Sequence, residues 1–108
     1  MIKVEENKGV AVVSLNDSDR LNAAIAEEVK LELSNVINNN NGNVLMNLSN
    51  IKFIDSSGIG VLISALKTAR QNNRGFYLCC LQKDVLNLLK LMKLDKVFDI
   101  YDSKDAIS

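Results

Sequence analysis

The fold of this chain is decided by residues 47–60, which read NLSNIKFIDSSGIG. A short apolar run breaks here into Asp-Ser-Ser-Gly and then resumes with helical spacing, which predicts a strand-to-helix junction. Either Asp55 or Ser56 suits the N-cap of that helix. A hydroxyl at such a junction lies where a phosphate can sit, because a helix N-terminus favours negative charge.

On both sides of this junction the chain alternates between strands and helices. Residues 44–48 and 76–81 are short and apolar like buried strands, and the segment between them is an amphipathic helix that ends near residues 72–75. The apolar face of that helix consists of Ile59, Leu62, Ile63, Leu66 and Ala69. A strand, a helix and a strand in this order predict a right-handed parallel crossover.

The rest of the chain extends the same pattern. Residues 2–4 and 10–15 flank turn residues and predict an N-terminal hairpin. Further amphipathic helices are predicted from Ile25 to near Asn38 and from Asp84 to about Met92, before a short strand at residues 97–100 and a polar tail with one helical turn. We therefore expect an α/β fold in a single domain, residues 1–108, with about four helices on a mixed, mostly parallel sheet of roughly four to five strands.

The composition of the chain excludes some classes of partner. The 13 Lys and Arg residues balance 13 Asp and Glu residues, and no block of like charge predicts a nucleic-acid partner. No apolar run approaches the roughly 20 residues of a membrane-spanning helix, and the N-terminus does not have the pattern of a leader. We expect a cytoplasmic protein that does not associate with membranes or nucleic acid.

The adjacent cysteines, Cys79 and Cys80, lie in an apolar segment. Because consecutive strand residues point to opposite faces of a sheet, a disulfide between them is not expected. No basic neighbour is evident to lower a thiol pKa, so the interpretation as buried strand residues is favoured over that as redox sensors.

The usual catalytic patterns are incomplete. The chain has no histidine, so a serine at the junction lacks the base of a catalytic triad, and no Ser-x-x-Lys motif surrounds Ser56 or Ser57. Gly58 and Gly60 are not followed by the Lys-Ser/Thr of a phosphate-binding loop. The carboxylates and cysteines do not have metal-ligand spacing. We expect no enzyme activity, metal or cofactor.

Two interpretations of the junction compete at the level of residues. In one, Asp55 or Ser56 caps the helix and Ser57 is an ordinary first-turn residue. In the other, a small polar stripe beginning at Ser57 receives a partner protein. Helical spacing predicts that this stripe contains Ser57, Gly60, Ser64 and either Lys67 or Thr68.

The chain resembles the anti-sigma factor antagonists, small single-domain members of the STAS fold. The resemblance is carried by the apolar strand at residues 44–48, by the phrase FIDSSGIGVL at residues 53–62, and by residues 88–98. It implies that Ser57 is phosphorylated while Asp55 and Ser56 shape the turn. It also implies binding to an anti-sigma factor that is a serine kinase, release of a sigma factor, and a serine phosphatase that resets the site.

The chain departs from this family ahead of its first helix. Many members have Gly-x-Leu-Asp there, whereas this chain has Asp19-Arg20-Leu21-Asn22. We expect Asn22 to cap the helix in place of the carboxylate, with Asp17 or Asp19 as a substitute for its charge. The loop at residues 16–20 is predicted either to be solvated or to contact the partner.

The predicted partner-binding residues are those of the junction and its stripe together with the residue that replaces the family's aspartate. They are Asn22, Asp55, Ser56, Ser57, Gly58, Gly60 and Ser64. Two alternatives stay open: a constitutive STAS scaffold in which Ser57 is never modified, as part of a larger signalling or transport assembly, and small-ligand binding at the helix N-terminus.

Overall fold

The chain begins with a β-hairpin, made by strands β1 (Ile2–Asn7) and β2 (Val10–Leu15). Its two central turn residues have positive φ angles, 53° at Lys8 and 82° at Gly9. A two-residue turn of this kind matches the right-handed twist of the strands it joins. The predicted hairpin is therefore confirmed, with β1 longer than expected because the turn is confined to these two residues.

The computed structural model describes residues 1–103, which form seven strands and three α-helices. After the hairpin come β3 (Arg20–Leu21), α1 (Ala26–Asn39), β4 (Val44–Asn47), β5 (Phe53–Ile54), α2 (Ser56–Gln71), β6 (Phe76–Cys79), α3 (Lys83–Leu91), a 3-10 helix (Leu94–Lys96) and β7 (Asp99–Tyr101). No helix within the described residues is both long and apolar enough to cross a membrane.

The main sheet has the strand order β1-β2-β4-β6-β7, in which only the β1-β2 pair is antiparallel. This confirms the predicted α/β class with a mixed, mostly parallel sheet. All three helices contribute to one core cluster with alternate residues of the strands, such as Val13, Met46 and Leu78, all fully buried. Because strand side chains alternate between faces, the helices share one face of the sheet.

Strands β3 and β5 form a separate two-stranded parallel sheet, which pairs Arg20 with Phe53 and Leu21 with Ile54. The sequence pattern did not predict this sheet. Two residues are too few for an alternating pattern, so nothing in the local sequence distinguishes such strands from loop.

The last strand begins two residues later than predicted and ends one residue later. Lys93, just beyond the end of α3, has a φ of 60°, and the 3-10 helix that follows has Val97, the residue expected to begin the strand, as its C-cap. The amides of Val97 and Phe98 both donate to the carbonyl of Leu94, at 3.0 and 3.1 Å. The helical turn predicted in the polar tail lies outside the described residues.

The expectation that Cys79 and Cys80 point to opposite faces of the sheet is wrong. Strand β6 ends at Cys79, and Cys80 has a φ of 66°, so the alternation of strand side chains stops between them. Both residues belong to the small apolar cluster on the face of the sheet away from the helices, and their Sγ atoms are 2.7 Å apart.

Candidate functional site

The small β3-β5 sheet holds the start of α2 against the segment that precedes α1. The amide of Lys52 donates to the carbonyl of Asp19 over 2.7 Å, and the amide of Asp55 donates to the carbonyl of Leu21 over 3.3 Å. These bonds position the strand-to-helix junction against residues 19–23, which are distant in sequence.

Asp55 is the N-cap of α2, which decides between the two capping residues that the sequence allowed. Its Oδ1 accepts a hydrogen bond from the amide of Gly58 over 2.9 Å, in the usual geometry of a helix N-cap. Its Oδ2 accepts from the amide of Ala23 over 3.1 Å. One carboxylate therefore caps α2 and also binds the turn that leads into α1.

Gly58 is buried, and because it has no side chain, Leu21 and Ile54 can pack closely against its backbone. A Cβ at this position would lie 2.6 Å from Cγ1 of Ile54 and would also collide with the carbonyl of Leu21. Gly60 is different, because a Cβ there would have no neighbour within 4 Å. Gly58 therefore serves the packing of the junction, and Gly60 belongs to its exposed surface.

Ser56, Ser57 and Gly60 are exposed. Ser57 and Gly60 line a groove of about 370 Å³ between α1 and α2, whose other lining residues are Ala23, Ala26, Glu27, Lys30 and Val61. Ser56 is not part of this lining. Ser64, half-buried and one turn further along α2, also lies outside the groove, so the predicted stripe is divided between the groove and the helix beyond it.

The charges of the groove come from α1 and were not predicted as site residues. Glu27 and Lys30 are three positions apart, so they share a face of the helix. Both are exposed on the side of α1 that faces the start of α2. The sequence indicated only that they are polar residues between apolar ones, and their proximity to Ser57 depends on how the two helices pack.

Asn22 does not cap α1, contrary to expectation. Its Oδ1 accepts a hydrogen bond from the amide of Ala24 over 3.2 Å, and α1 begins only at Ala26, after Ile25, which makes no side-chain cap bond. The side chain of Asn22 thus forms a local turn, as asparagine often does. The turn it stabilises contains Ala23, the residue bound by Asp55, so Asn22 adjoins the site through the backbone.

The loop at residues 16–20 is closed by its own hydrogen bonds. The hydroxyl of Ser18 donates to the carbonyl of Arg20 over 2.7 Å, and Nε of Arg20 donates to Oδ1 of Asp19 over 3.0 Å. This hydrogen bond, together with the charge of Arg20, lowers the pKa of the Asp19 carboxyl below its ordinary value. The carboxylate of Asp19 is thus paired with Arg20, while the carboxylate of Asp55 caps the helix that bears the serine pair.

A second, more apolar groove of about 220 Å³ lies on the other side of the junction. Its lining residues are Lys52, Phe53, Ile54, Asp84, Val85 and Leu88. Phe53 is 52% exposed, although it directly precedes the buried Ile54. Within the described residues, no group of three or more His, Cys, Asp or Glu side chains is arranged to hold a metal ion.

These features define a class of small α/β domain, in which a mixed sheet carries an aspartate-capped helix with an exposed serine pair in its first turn. The chain belongs to the STAS domain family, whose model matches residues 1–107. The resemblance inferred from residues 44–48, 53–62 and 88–98 is thereby confirmed.

Individual proteins support the same assignment. The chain is 29% identical over 104 residues to the anti-sigma F factor antagonist of Paenibacillus polymyxa, covering 95% of this chain and 87% of that protein. A STAS domain protein from Planctomyces limnophilus, described as an anti-sigma-factor antagonist, superposes with a TM-score of 0.89 at 23% identity, covering 98% and 93% of the two chains. The phosphorylated form of SpoIIAA, a Bacillus cell fate determinant, has a TM-score of 0.69 at 17% identity over 99% and 96%.

Proposed function

We propose that this protein is an anti-sigma factor antagonist that binds an anti-sigma factor with serine kinase activity and thereby frees a sigma factor. Phosphorylation of Ser57 ends the binding, and a serine phosphatase restores it. The observation that carries the proposal is the exposed Ser57 at the start of α2, beside a groove and in a chain without histidine to activate it. Such a hydroxyl is suited to be the substrate of another enzyme.

Ser57 is favoured over Ser56 for two reasons. Ser57 lines the groove between α1 and α2, whereas Ser56 does not, so a partner that enters the groove meets Ser57. Ser57 is also the second serine of the phrase at residues 53–62, the position at which the resemblance to the family implies phosphorylation. SpoIIAA, which shares the fold, is known in a phosphorylated form, as this switch requires.

The switch follows from the charges around Ser57. A phosphoserine carries a charge of about −1.5 to −2, and the N-terminus of α2 favours that charge, so the domain keeps its fold. The same charge would adjoin the carboxylate of Asp55 and share the groove with that of Glu27. A partner surface that fits a neutral hydroxyl would then face an unmatched dianion, which is costly to bury.

Phe53 offers an apolar contact for the partner beside this switch. Its side chain is half-exposed and lines the second groove, which is separate from the groove between α1 and α2. Aromatic residues are enriched at the centre of protein interfaces, where they bury a large area. We therefore expect the partner to span the junction, with Phe53 as an anchor and Ser57 as the switch.

The proposal is tested by incubating the protein with a kinase of the anti-sigma factor class and ATP, and by mapping the phosphate with mass spectrometry. We expect the label on Ser57, loss of labelling in Ser57→Ala and full labelling in the control Ser56→Ala. Ser57→Ala should bind the kinase like the unmodified protein, and Ser57→Asp at least about tenfold more weakly. Equal affinity of these two variants, as expected of a constitutive scaffold, would contradict the switch.

A further inference from the structure

Cys79 and Cys80 form a close pair of thiols at the end of β6, with 2.7 Å between their Sγ atoms. The pair exists because the positive φ of Cys80 turns its side chain back toward that of Cys79. Cys79 is fully buried, whereas Cys80 is partly exposed. The solvent-exposed part of the pair therefore belongs to Cys80, whereas Cys79 is shielded from solvent.

We infer that Cys79 and Cys80 are a reversible modification site that reacts with low-molecular-weight disulfides. The thiolate of Cys80 attacks one sulfur of such a disulfide, forms a mixed disulfide and releases the first small thiol. The thiolate of Cys79 then attacks Sγ of Cys80, which closes the Cys79–Cys80 bond and releases the second thiol. Two protein thiols are oxidised while one small disulfide is reduced, and each of the two thiol protons ends on a small thiol.

The closed form is expected to be easily reduced. Consecutive Cα atoms are about 3.8 Å apart, whereas disulfides usually join Cα atoms at about 4.4–6.8 Å. A bond between neighbours is thus strained, and strained disulfides belong to the labile and regulatory class. The site is therefore suited to reversible modification rather than to permanent stabilisation of the fold.

The peptide group between the two cysteines connects this site to the segment that carries the serine pair. Its carbonyl, that of Cys79, accepts from the amide of Leu48 over 3.1 Å, and its amide, that of Cys80, donates to the carbonyl of Tyr101 over 3.1 Å. Because neighbouring Cα atoms are closer together than a disulfide prefers, closing the ring distorts this peptide group and should weaken one or both of these hydrogen bonds. Oxidation should therefore loosen the start of the loop that runs from Leu48 to the junction at Asp55.

The test uses the reduced full chain, treated with oxidised glutathione and analysed by intact mass spectrometry. We expect a monomer that is two hydrogen atoms lighter and has lost both thiols together. A peptide map should link Cys79 to Cys80, and dithiothreitol should restore the original mass. In the oxidised protein, amide hydrogen exchange at Leu48 should be about tenfold faster, the change expected when one hydrogen bond is lost.

Two variants test the order of the steps. In Cys79→Ser the reaction should stop after its first step, with a stable glutathione adduct on Cys80. Cys80→Ser should react with oxidised glutathione much more slowly, because its remaining thiol is buried. The inference would be overturned by a wild-type chain that keeps a glutathione adduct, that forms intermolecular disulfides or that does not react. Because the wild-type masses decide these outcomes, the test does not depend on the folding of either variant.

Discussion

Asp55 is hydrogen-bonded to the backbone of Ala23, 32 residues earlier in the chain, with 3.1 Å between Oδ2 and the amide nitrogen. The same carboxylate caps α2 through Gly58. Each oxygen thus serves a different part of the chain, so the helix that bears the serine pair and the turn before α1 are held by one side chain.

Replacing Asp55 with alanine should destabilise the domain by about 2 kcal/mol, because a helix cap and a second hydrogen bond are lost together. Urea unfolding measures the difference. Ser56→Ala is the matched control, since Ser56 is exposed and adjacent, and its effect should stay within about 0.5 kcal/mol. Equal unfolding midpoints for the two variants would contradict the bridging role of Asp55.

Alanine at the two glycines of α2 should have opposite effects. Gly58→Ala should cost about 1–3 kcal/mol, because the new methyl group has no room beside Ile54 and Leu21. Gly60→Ala should stabilise the domain by up to about 1 kcal/mol, because it replaces glycine inside a helix where the methyl group meets no neighbour. Thermal unfolding of both variants checks the signs, and a destabilised Gly60→Ala would show that the space at this position is not free.

The hairpin turn offers a change that should stabilise the protein. Asparagine tolerates positive φ better than lysine, so Lys8→Asn, which creates the favoured Asn-Gly turn, should raise the free energy of unfolding by about 0.5–1 kcal/mol. Gly9→Ala should lower it by about 1–2 kcal/mol, because φ at this residue is 82°. Chemical denaturation compares both variants with the unmodified protein, and a loss of stability in Lys8→Asn would argue against this turn geometry.

Titration of Asp19 by NMR should give a carboxyl pKa below the ordinary value near 3.8, because Arg20 donates a hydrogen bond to it and adds a favourable charge. A pKa lowered in the folded state contributes stability above the unfolded pKa, and that contribution is lost as the pH falls through the folded value. Since the carboxyl lies at the surface, the effect on stability is small and the titration itself is the sensitive measurement.

The controls for this titration are two charge removals. Arg20→Gln should raise the pKa of Asp19 back toward its ordinary value, whereas Lys52→Gln should raise it less, because Lys52 contributes only a weaker charge interaction. A larger change from the lysine variant would mean that the Asp19–Arg20 bond is not the main cause of the lowered pKa.

The parts of the fold that follow from periodicity could be predicted from the sequence. The apolar face of α2 proposed from residues 59–69 is largely buried, and the hairpin lies where turn residues separate two apolar runs. The two-residue strands β3 and β5 could not be predicted, because they have no pattern of their own and exist through pairing with each other.

The residues that surround the candidate site could be named in part from the sequence, and the others depend on tertiary structure. Asp55, Ser57 and Gly60 could be named because capping and helical spacing are local properties. Glu27 and Lys30 join them only through the packing of α1 beside α2. The orientation of Cys80 was missed because a left-handed residue interrupts the alternation that a strand would continue.

The contrast between Gly58 and Gly60 also bears on how natural variation in such sequences can be interpreted. A residue other than glycine at position 58 would require Leu21 or Ile54 to move, so substitutions there affect the packing of the fold. The second position is exposed and sterically free, and a side chain there would extend into the groove beside Ser57. Variation at the second glycine would therefore reshape the groove and leave the packing of the junction intact.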